Sequence, residues 1–159
     1  MNERKLVESE VRATADRFGF RSVRNRNFYI SKPELSGIVN LQKSRYGPSF
    51  FVNCGVWLHA LPGQVPTVHN KYHVQWRADS VADDRTYKMF KAALDLGTAM
   101  PEAERIAAIG EGAARYGFGL IASLADEAAV HEFVAMTPIA AVFKEVRERA
   151  RDVFGIAGS

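Results

Sequence analysis

Cysteine is almost absent from this 159-residue chain, and long apolar runs are missing altogether. The single cysteine, Cys54, excludes an intramolecular disulfide and a zinc site built on cysteines. No stretch reaches the roughly 18–20 consecutive apolar residues that a membrane span needs, so we expect no membrane insertion. Residues 1–5 lead into an amphipathic pattern without the apolar run of a signal peptide. These absences predict a cytoplasmic protein.

The composition is otherwise that of an ordinary globular protein. Hydrophobic residues make up 47% and charged residues 25% of the chain, which excludes extensive disorder. The length favours one domain, and neither a repeat nor a linker divides the chain. We therefore predict a single α+β domain over residues 1–155 and a disordered tail over 156–159.

Charge is distributed unevenly along the chain. Residues 1–50 carry ten basic and five acidic side chains, whereas residues 101–159 carry six basic and nine acidic ones. A basic segment with aromatic residues nearby, such as Phe28 and Tyr46, is typical of nucleic-acid binders. No nucleic-acid motif accompanies it, so we favour a solvated basic face over nucleic-acid binding.

The hydrophobic period changes along the chain from helical to extended. Residues 3–18 repeat apolar positions at helical spacing, and Gly19 then suits the end of a helix. Four later segments alternate apolar and polar side chains as strands do: 26–30, 38–45, 50–58 and, less regularly, 72–77.

Helical spacing returns after Asp83, and the last helix is predicted to begin at Thr137–Pro138. A run of strands with short turns, followed by a run of helices, predicts an α+β fold. We expect an N-terminal helix, a three- to four-stranded antiparallel meander, and a C-terminal group of about four helices packed on one sheet face.

Motifs for catalysis or metal binding are weak. His69 and His73 have the spacing of a metal-binding pair on a helix, but Pro66 and the loop-to-strand pattern argue against a helix here. Cys54 falls on the apolar side of its strand, where a thiol is inert. Phosphate-binding glycine loops and nucleophile motifs are absent. The sequence predicts no metal and no other cofactor, and it favours a role other than catalysis.

The polar face of the predicted sheet is the most informative feature. It carries amides and aromatics where a solvated sheet usually carries lysine, glutamate and threonine. Amides both donate and accept hydrogen bonds, which suits a binding surface. Alternatively, the 59–71 loop covers this face and the amides serve the structure. The candidate binding residues are Asn40, Gln42, Ser44, Asn53, Trp57, His73 and Arg77.

Several segments resemble a family of small bacterial proteins described as domain of unknown function 4304. They are Gly19-Phe20-Arg21, Asn27-Phe28-Tyr29, Val39–Tyr46, Phe51–Gly55 and Tyr116–Ile121, within a resemblance that spans about residues 5–135. The resemblance implies a bacterial, cytoplasmic α+β protein with no established activity. By analogy with other families of this kind, it points to an immunity-type or regulatory protein that binds another protein.

Three hypotheses follow from these patterns. The leading one is a protein-interaction module that binds a partner protein through the amide and aromatic face. The second is an enzyme or small-ligand binder with a pocket under the 59–71 loop, where His73 titrates and Arg77 anchors an anion. The third is a nucleic-acid binder that uses the basic first third of the chain. The oligomeric state has no signature in the sequence.

Overall fold

A six-stranded antiparallel sheet forms the centre of the protein, and each strand pairs with the next one along the chain. The structure is a computed structural model that describes residues 2–23 and 26–156. The strands are β1 (Arg21–Ser22), β2 (Asn27–Ser31), β3 (Leu35–Lys43), β4 (Phe50–Leu58), β5 (Val74–Arg77) and β6 (Ala141–Val142).

One helix precedes the sheet, and the others follow β5. A π-helical segment, Ala114–Phe118, joins the third helix to the fourth. The α-helices are α1 (Glu3–Arg17), α2 (Asp84–Leu94), α3 (Glu102–Ala113), α4 (Gly119–Ser123), α5 (Glu127–Met136) and α6 (Lys144–Asp152).

The α+β prediction is confirmed, and β4 has the predicted bounds. The sheet is wider than predicted because short strands, β1 and β6, extend the meander at its two edges. The prediction of a last helix beginning at Thr137–Pro138 is wrong. The chain there turns and forms β6, and the N–H of Phe143 donates to the carbonyl of His73 at 2.9 Å. Pairing with the edge of the sheet overrides the helical spacing of this segment.

Helix α1 ends as the sequence predicts. Gly19 adopts a φ of 77°, the left-handed conformation that glycine takes at low cost. The N–H of Phe20 donates to the carbonyl of Ala15, and the N–H of Gly19 donates to that of Asp16. This pair of bonds closes the helix and turns the chain into β1.

The main core lies between one face of the sheet and the helices. Val7 and Val11 of α1 and Ile109 of α3 are fully buried in it. Val52 and Cys54 point from β4 into the same core, so the prediction that Cys54 is a core residue is confirmed. Burial raises the pKa of the Cys54 thiol, which keeps it protonated and unreactive.

The predicted C-terminal tail lies largely outside the described residues. Of the predicted tail, only Ile156 is within the described residues, and its N–H donates to the carbonyl of Ala150; 157–159 lie outside them. The single domain over 1–155 stays a prediction. In the described ranges, no helix has both the length and the apolar character needed to cross a membrane.

A buried arginine joins the end of α2 to α3. Arg105 is 1% exposed and donates to the carbonyls of Ala93 at 2.5 Å, Asp95 at 3.2 Å and Thr98 at 2.6 Å. Glu3 lies 3.7 Å from its guanidinium. The carbonyl of Ala93 lies in the last turn of α2 and the other two follow it, where backbone hydrogen bonds of the helix run out and a cation is favoured.

Replacing Arg105 by methionine is expected to lower the free energy of unfolding by about 3 kcal/mol or more, because three carbonyls lose a charged donor. Urea unfolding followed by circular dichroism measures the effect. Arg105→Lys should retain part of the stability, and the exposed Arg151→Met should change it by less than about 0.5 kcal/mol. Equal stability of Arg105→Met and the wild type would contradict this role.

Candidate functional site

Three asparagines lie side by side across the second face of the sheet, the face opposite the main core. Asn27 of β2 is opposite Asn40 of β3, which is opposite Asn53 of β4. Nδ2 of Asn53 donates to Oδ1 of Asn40 at 3.0 Å and to Oε1 of Gln42 at 2.9 Å. Nδ2 of Asn40 donates in turn to Oδ1 of Asn27 at 2.7 Å. We call these four side chains the amide ladder.

The amide ladder borders an open cleft of about 930 Å³. Helix α1, the chain entering β2, the end of β3 and a 3₁₀ turn at His69–Lys71 contribute its walls. We call it the amide cleft. Its polar and charged lining residues are Arg4, Glu8, Arg12, Arg26, Asn27, Asn40, Gln42, Lys43, His69 and Asn70.

Positive charge dominates the amide cleft, since four cationic side chains face one carboxylate. That carboxylate, on Glu8, is already paired with Arg26 at 2.9 Å and Arg4 at 3.3 Å. Arg12 and Lys43 make no side-chain hydrogen bond or ion pair with the described residues. Burial lowers the pKa of His69, so this ring is neutral at pH 7.

The structure brings only part of the predicted site together. Asn40 and Gln42 line the amide cleft, and Asn53 is buried beside them at 6% exposure. Ser44 lies beyond the end of β3, where its Oγ accepts from the N–H of Tyr46. Arg77 is opposite Asn53, but its guanidinium lies over the ring of Phe51, 4.7 Å from the centroid.

Trp57 and His73 belong to a packed aromatic group instead. Their rings stack with centroids 3.6 Å apart, and Phe143 meets His73 edge-on. The N–H of Leu58 donates to Nδ1 of His73 at 2.9 Å. Burial lowers the pKa of His73 to about 4, so the ring is neutral at pH 7. Neither His73 nor Arg77 lines the amide cleft, and the structure does not bring the predicted pair together there.

The 59–71 loop covers one end of the second face and leaves the other end open. A Cβ added to Gly63 would lie 3.3 Å from the ring of Trp57, and the hydroxyl of Tyr29 donates to the carbonyl of Thr67. Asn40 and Gln42 lie at the open end. The loop therefore covers only one end of this face, and binding by the amides at the open end stays a prediction.

Sequence reasoning did not place the residues of α1 and the 3₁₀ turn in this site, and it considered His69 only as a possible metal ligand paired with His73. Arg4, Glu8 and Arg12 reach the cleft from the polar side of a helix, and His69 and Asn70 reach it from a loop. The basic excess of the first third was the available signal. The described residues contain no group of three or more His, Cys, Asp or Glu side chains that could hold a metal ion.

Asn53 is expected to matter for stability. Asn53→Ala should lower the free energy of unfolding by about 1–3 kcal/mol, because it leaves oxygens of Asn40 and Gln42 without their donor. Gln42→Ala, at an exposed position, should lower it by less than about 0.5 kcal/mol. Urea unfolding distinguishes the two, and an effect of Asn53→Ala as small as that expected for Gln42→Ala would show that the amide ladder has no stabilising role.

Stability should also fall in acid because of His73. The unfolded chain takes up a proton near the ordinary pKa of 6.5, whereas the folded ring does so only near pH 4. Stability is therefore constant with respect to His73 above pH 6.5 and falls by about 2–3 kcal/mol as the pH drops to 4.

The matched variant is His73→Asn, whose Oδ1 can still accept from the N–H of Leu58. Unfolding measured from pH 7.5 to 4 should show a shallower loss in this variant than in the wild type. Parallel curves would contradict the assignment to His73.

Comparison with known proteins places the chain in a family without assigning it an activity. No curated protein and no solved structure matches it. The model of a family described as a domain of unknown function, DUF4304, matches residues 11–93, slightly more than half of the chain. The match runs from α1 to α2 and includes the amide ladder, whereas the resemblance at Tyr116–Ile121 lies outside it. The chain therefore belongs to the DUF4304 family.

Proposed function

We propose that this protein is a protein-interaction module that binds an acidic segment of a partner protein in the amide cleft. The observation that carries the proposal is an excess of hydrogen-bond donors in a cleft with one, already paired, carboxylate. The expected setting, a bacterial cytoplasm, and an immunity-type or regulatory role are parts of the same proposal.

The direction of the hydrogen bonds within the amide ladder creates part of this excess of donors. The side-chain oxygens of Asn27, Asn40 and Gln42 all accept bonds from within the ladder. Nδ2 of Asn27 and Nε2 of Gln42 have no partner among the described residues and remain as donors. A ligand that satisfies them must offer acceptors, as carboxylates and peptide carbonyls do.

The cationic side chains point to the same ligand chemistry. Arg12 and Lys43 are available to pair with carboxylates, and the guanidinium of Arg12 can form two parallel hydrogen bonds to one carboxylate, a bidentate pair. An acidic partner would also be attracted over distance by the net positive lining. The volume of about 930 Å³ accommodates several residues of a peptide.

The structure favours binding over catalysis near His73 and Arg77. The ring of His73 is enclosed between Trp57 and Phe143, and Arg77 is occupied by Phe51 and Asp79. A general base must reach its substrate, and a ring that is 4% exposed cannot do so without local opening.

A nucleic acid is the competing ligand because phosphates are also anionic acceptors. Single-stranded nucleic acids are usually bound by basic grooves in which exposed aromatic rings stack on the bases. In the amide cleft the benzene ring available is that of Phe28, which is 2% exposed. The imidazole of His69 also lines the cleft, but the described lining has no exposed phenyl, phenol or indole ring, which favours a peptide.

Binding of fluorescent decaglutamate and decathymidylate, followed by anisotropy over a range of salt concentrations, tests the proposal. Gln42→Glu should weaken decaglutamate binding by about tenfold, since it keeps the oxygen that accepts from Asn53 but replaces a donor by a negative charge. The control Gln64→Glu makes the same charge change at an exposed loop position and should weaken binding less than about twofold.

A second pair of variants tests the cations. Arg12→Ala with Lys43→Ala should weaken decaglutamate binding by about tenfold, whereas Lys88→Ala with Arg151→Ala should have little effect. If decathymidylate binds more tightly than decaglutamate, with the same dependence on Gln42, the ligand of the amide cleft is a nucleic acid and the peptide proposal is overturned. Equal effects of both pairs, or no binding of decaglutamate, would overturn the proposal.

A further inference from the structure

A second cavity lies under the 59–71 loop, separate from the amide cleft. It has a volume of about 590 Å³ and is bounded by β1, β2, the start of β3 and the loop. We call it the tyrosine cavity. The side chains that matter for its chemistry are Arg21, Val23, Tyr29, Val65 and Tyr72.

Tyr72 is the unusual member of this lining. It is fully buried, and its hydroxyl has no hydrogen-bond partner among the described residues. Buried hydroxyls nearly always have a partner, because losing water without replacing it is unfavourable. Burial raises the pKa of Tyr72, so the hydroxyl stays protonated and can both donate and accept.

The packing of the ring directs this hydroxyl toward the cavity. The Cβ of Tyr72 lies over Gly55, where an added Cβ would be only 2.9 Å away. Ile38, opposite Gly55 in the sheet, belongs to the same buried cluster, and Tyr29 packs against it. The ring therefore extends across β3 toward β2, and its hydroxyl end reaches the side where Tyr29 lines the cavity.

The mouth of the cavity combines apolar and cationic side chains. Val23 and Val65 are each 42% exposed, high values for valine, and both line the cavity. Arg21 is exposed beside them and makes no ion pair with the described residues. The hydroxyl of Tyr29 donates to the carbonyl of Thr67 at 2.8 Å, and both residues line the tyrosine cavity.

We propose that the tyrosine cavity binds a small, mainly apolar carboxylic acid that carries a neutral oxygen at its other end. The neutral oxygen forms a hydrogen bond with the hydroxyl of Tyr72. The apolar body packs against Tyr29 and Val65, and the carboxylate lies at the mouth beside Arg21. The site is independent of peptide binding in the amide cleft and is tested without a peptide.

The test uses two hydroxy acids of different length, para-hydroxybenzoate and para-hydroxyphenylpropionate. Each is compared with its analogue without the hydroxyl, benzoate or phenylpropionate, and with phenol, which lacks the carboxylate. Tyrosine rings labelled with ¹³C report binding by NMR. Signals of Tyr29 and Tyr72 should shift on titration, and that of Tyr46, which is 97% exposed, should not.

Variants assign the two ends of the ligand. Tyr72→Phe should remove the preference for the hydroxy acid over its analogue, a loss of about threefold to tenfold, and leave the analogue unaffected. Arg21→Ala should weaken both acids about threefold without affecting phenol. Circular dichroism confirms that each variant is folded.

Two valines of the same loop provide a matched pair. Val65→Phe should fill the mouth and abolish binding, whereas Val68→Phe, at a position 43% exposed and outside the lining, should not. The proposal is overturned if neither hydroxy acid shifts Tyr72, if Tyr72→Phe preserves the preference, or if both phenylalanine variants bind equally. Destabilisation by Tyr72→Phe without ligand would also overturn it, because it would show that water already satisfies the hydroxyl.

Discussion

The pairing of β3 with β4 is the constraint on which both faces of this protein depend. The two strands pair over nine residues each, from Leu35 opposite Leu58 to Lys43 opposite Phe50. A shift of either strand by one residue would exchange the faces of that strand and place Asn40 of β3 or Asn53 of β4 against the helices. The hydrophobic residues of β4 prevent this shift, because Val52 and Cys54 are buried only in the observed register.

The second face then divides into two environments along the strands. At one end, Ile38, Trp57 and Tyr72 form a small buried cluster under the 59–71 loop. At the other end, Asn27, Asn40 and Gln42 of the amide ladder line the amide cleft together with polar residues of α1. Tyr29 packs against this buried cluster and donates a hydrogen bond to the carbonyl of Thr67 in the loop. One sheet face can therefore provide a mainly apolar cavity and a polar cleft without either disturbing the main core.

The sequence predicts what depends on local periodicity. Every second residue of 50–58, from Phe50 to Leu58, is apolar, so the bounds of β4 and the burial of Cys54 follow from the pattern. The alternation also places the three asparagines on the second face. Their order across the sheet requires the register, which short turns and matched strand lengths suggest but do not determine.

Contacts between distant segments could not be predicted in this way. Nothing near Arg105 indicates that it is buried, because its partners are carbonyls, which every residue carries. Likewise, β6 depends on the free edge of β5 more than on its own residues. His73 has the spacing of a surface residue, yet Phe143, about 70 positions later, encloses it.

Whether a buried polar group has a hydrogen-bond partner distinguishes structural residues from candidate binding residues. Arg105 and His73 are buried with partners, which explains their burial without a ligand. Nδ1 of His131 lacks a partner among the described residues, but its ring is held by Glu127 and covered by Phe154, and it lines neither the amide cleft nor the tyrosine cavity. Tyr72 differs because its unpaired hydroxyl coincides with a cavity. An unsatisfied polar group in a packed core lowers stability, whereas one that lines a cavity can be satisfied by a ligand. The unpaired hydroxyl of Tyr72 therefore points to a binding site because Tyr72 also lines a cavity.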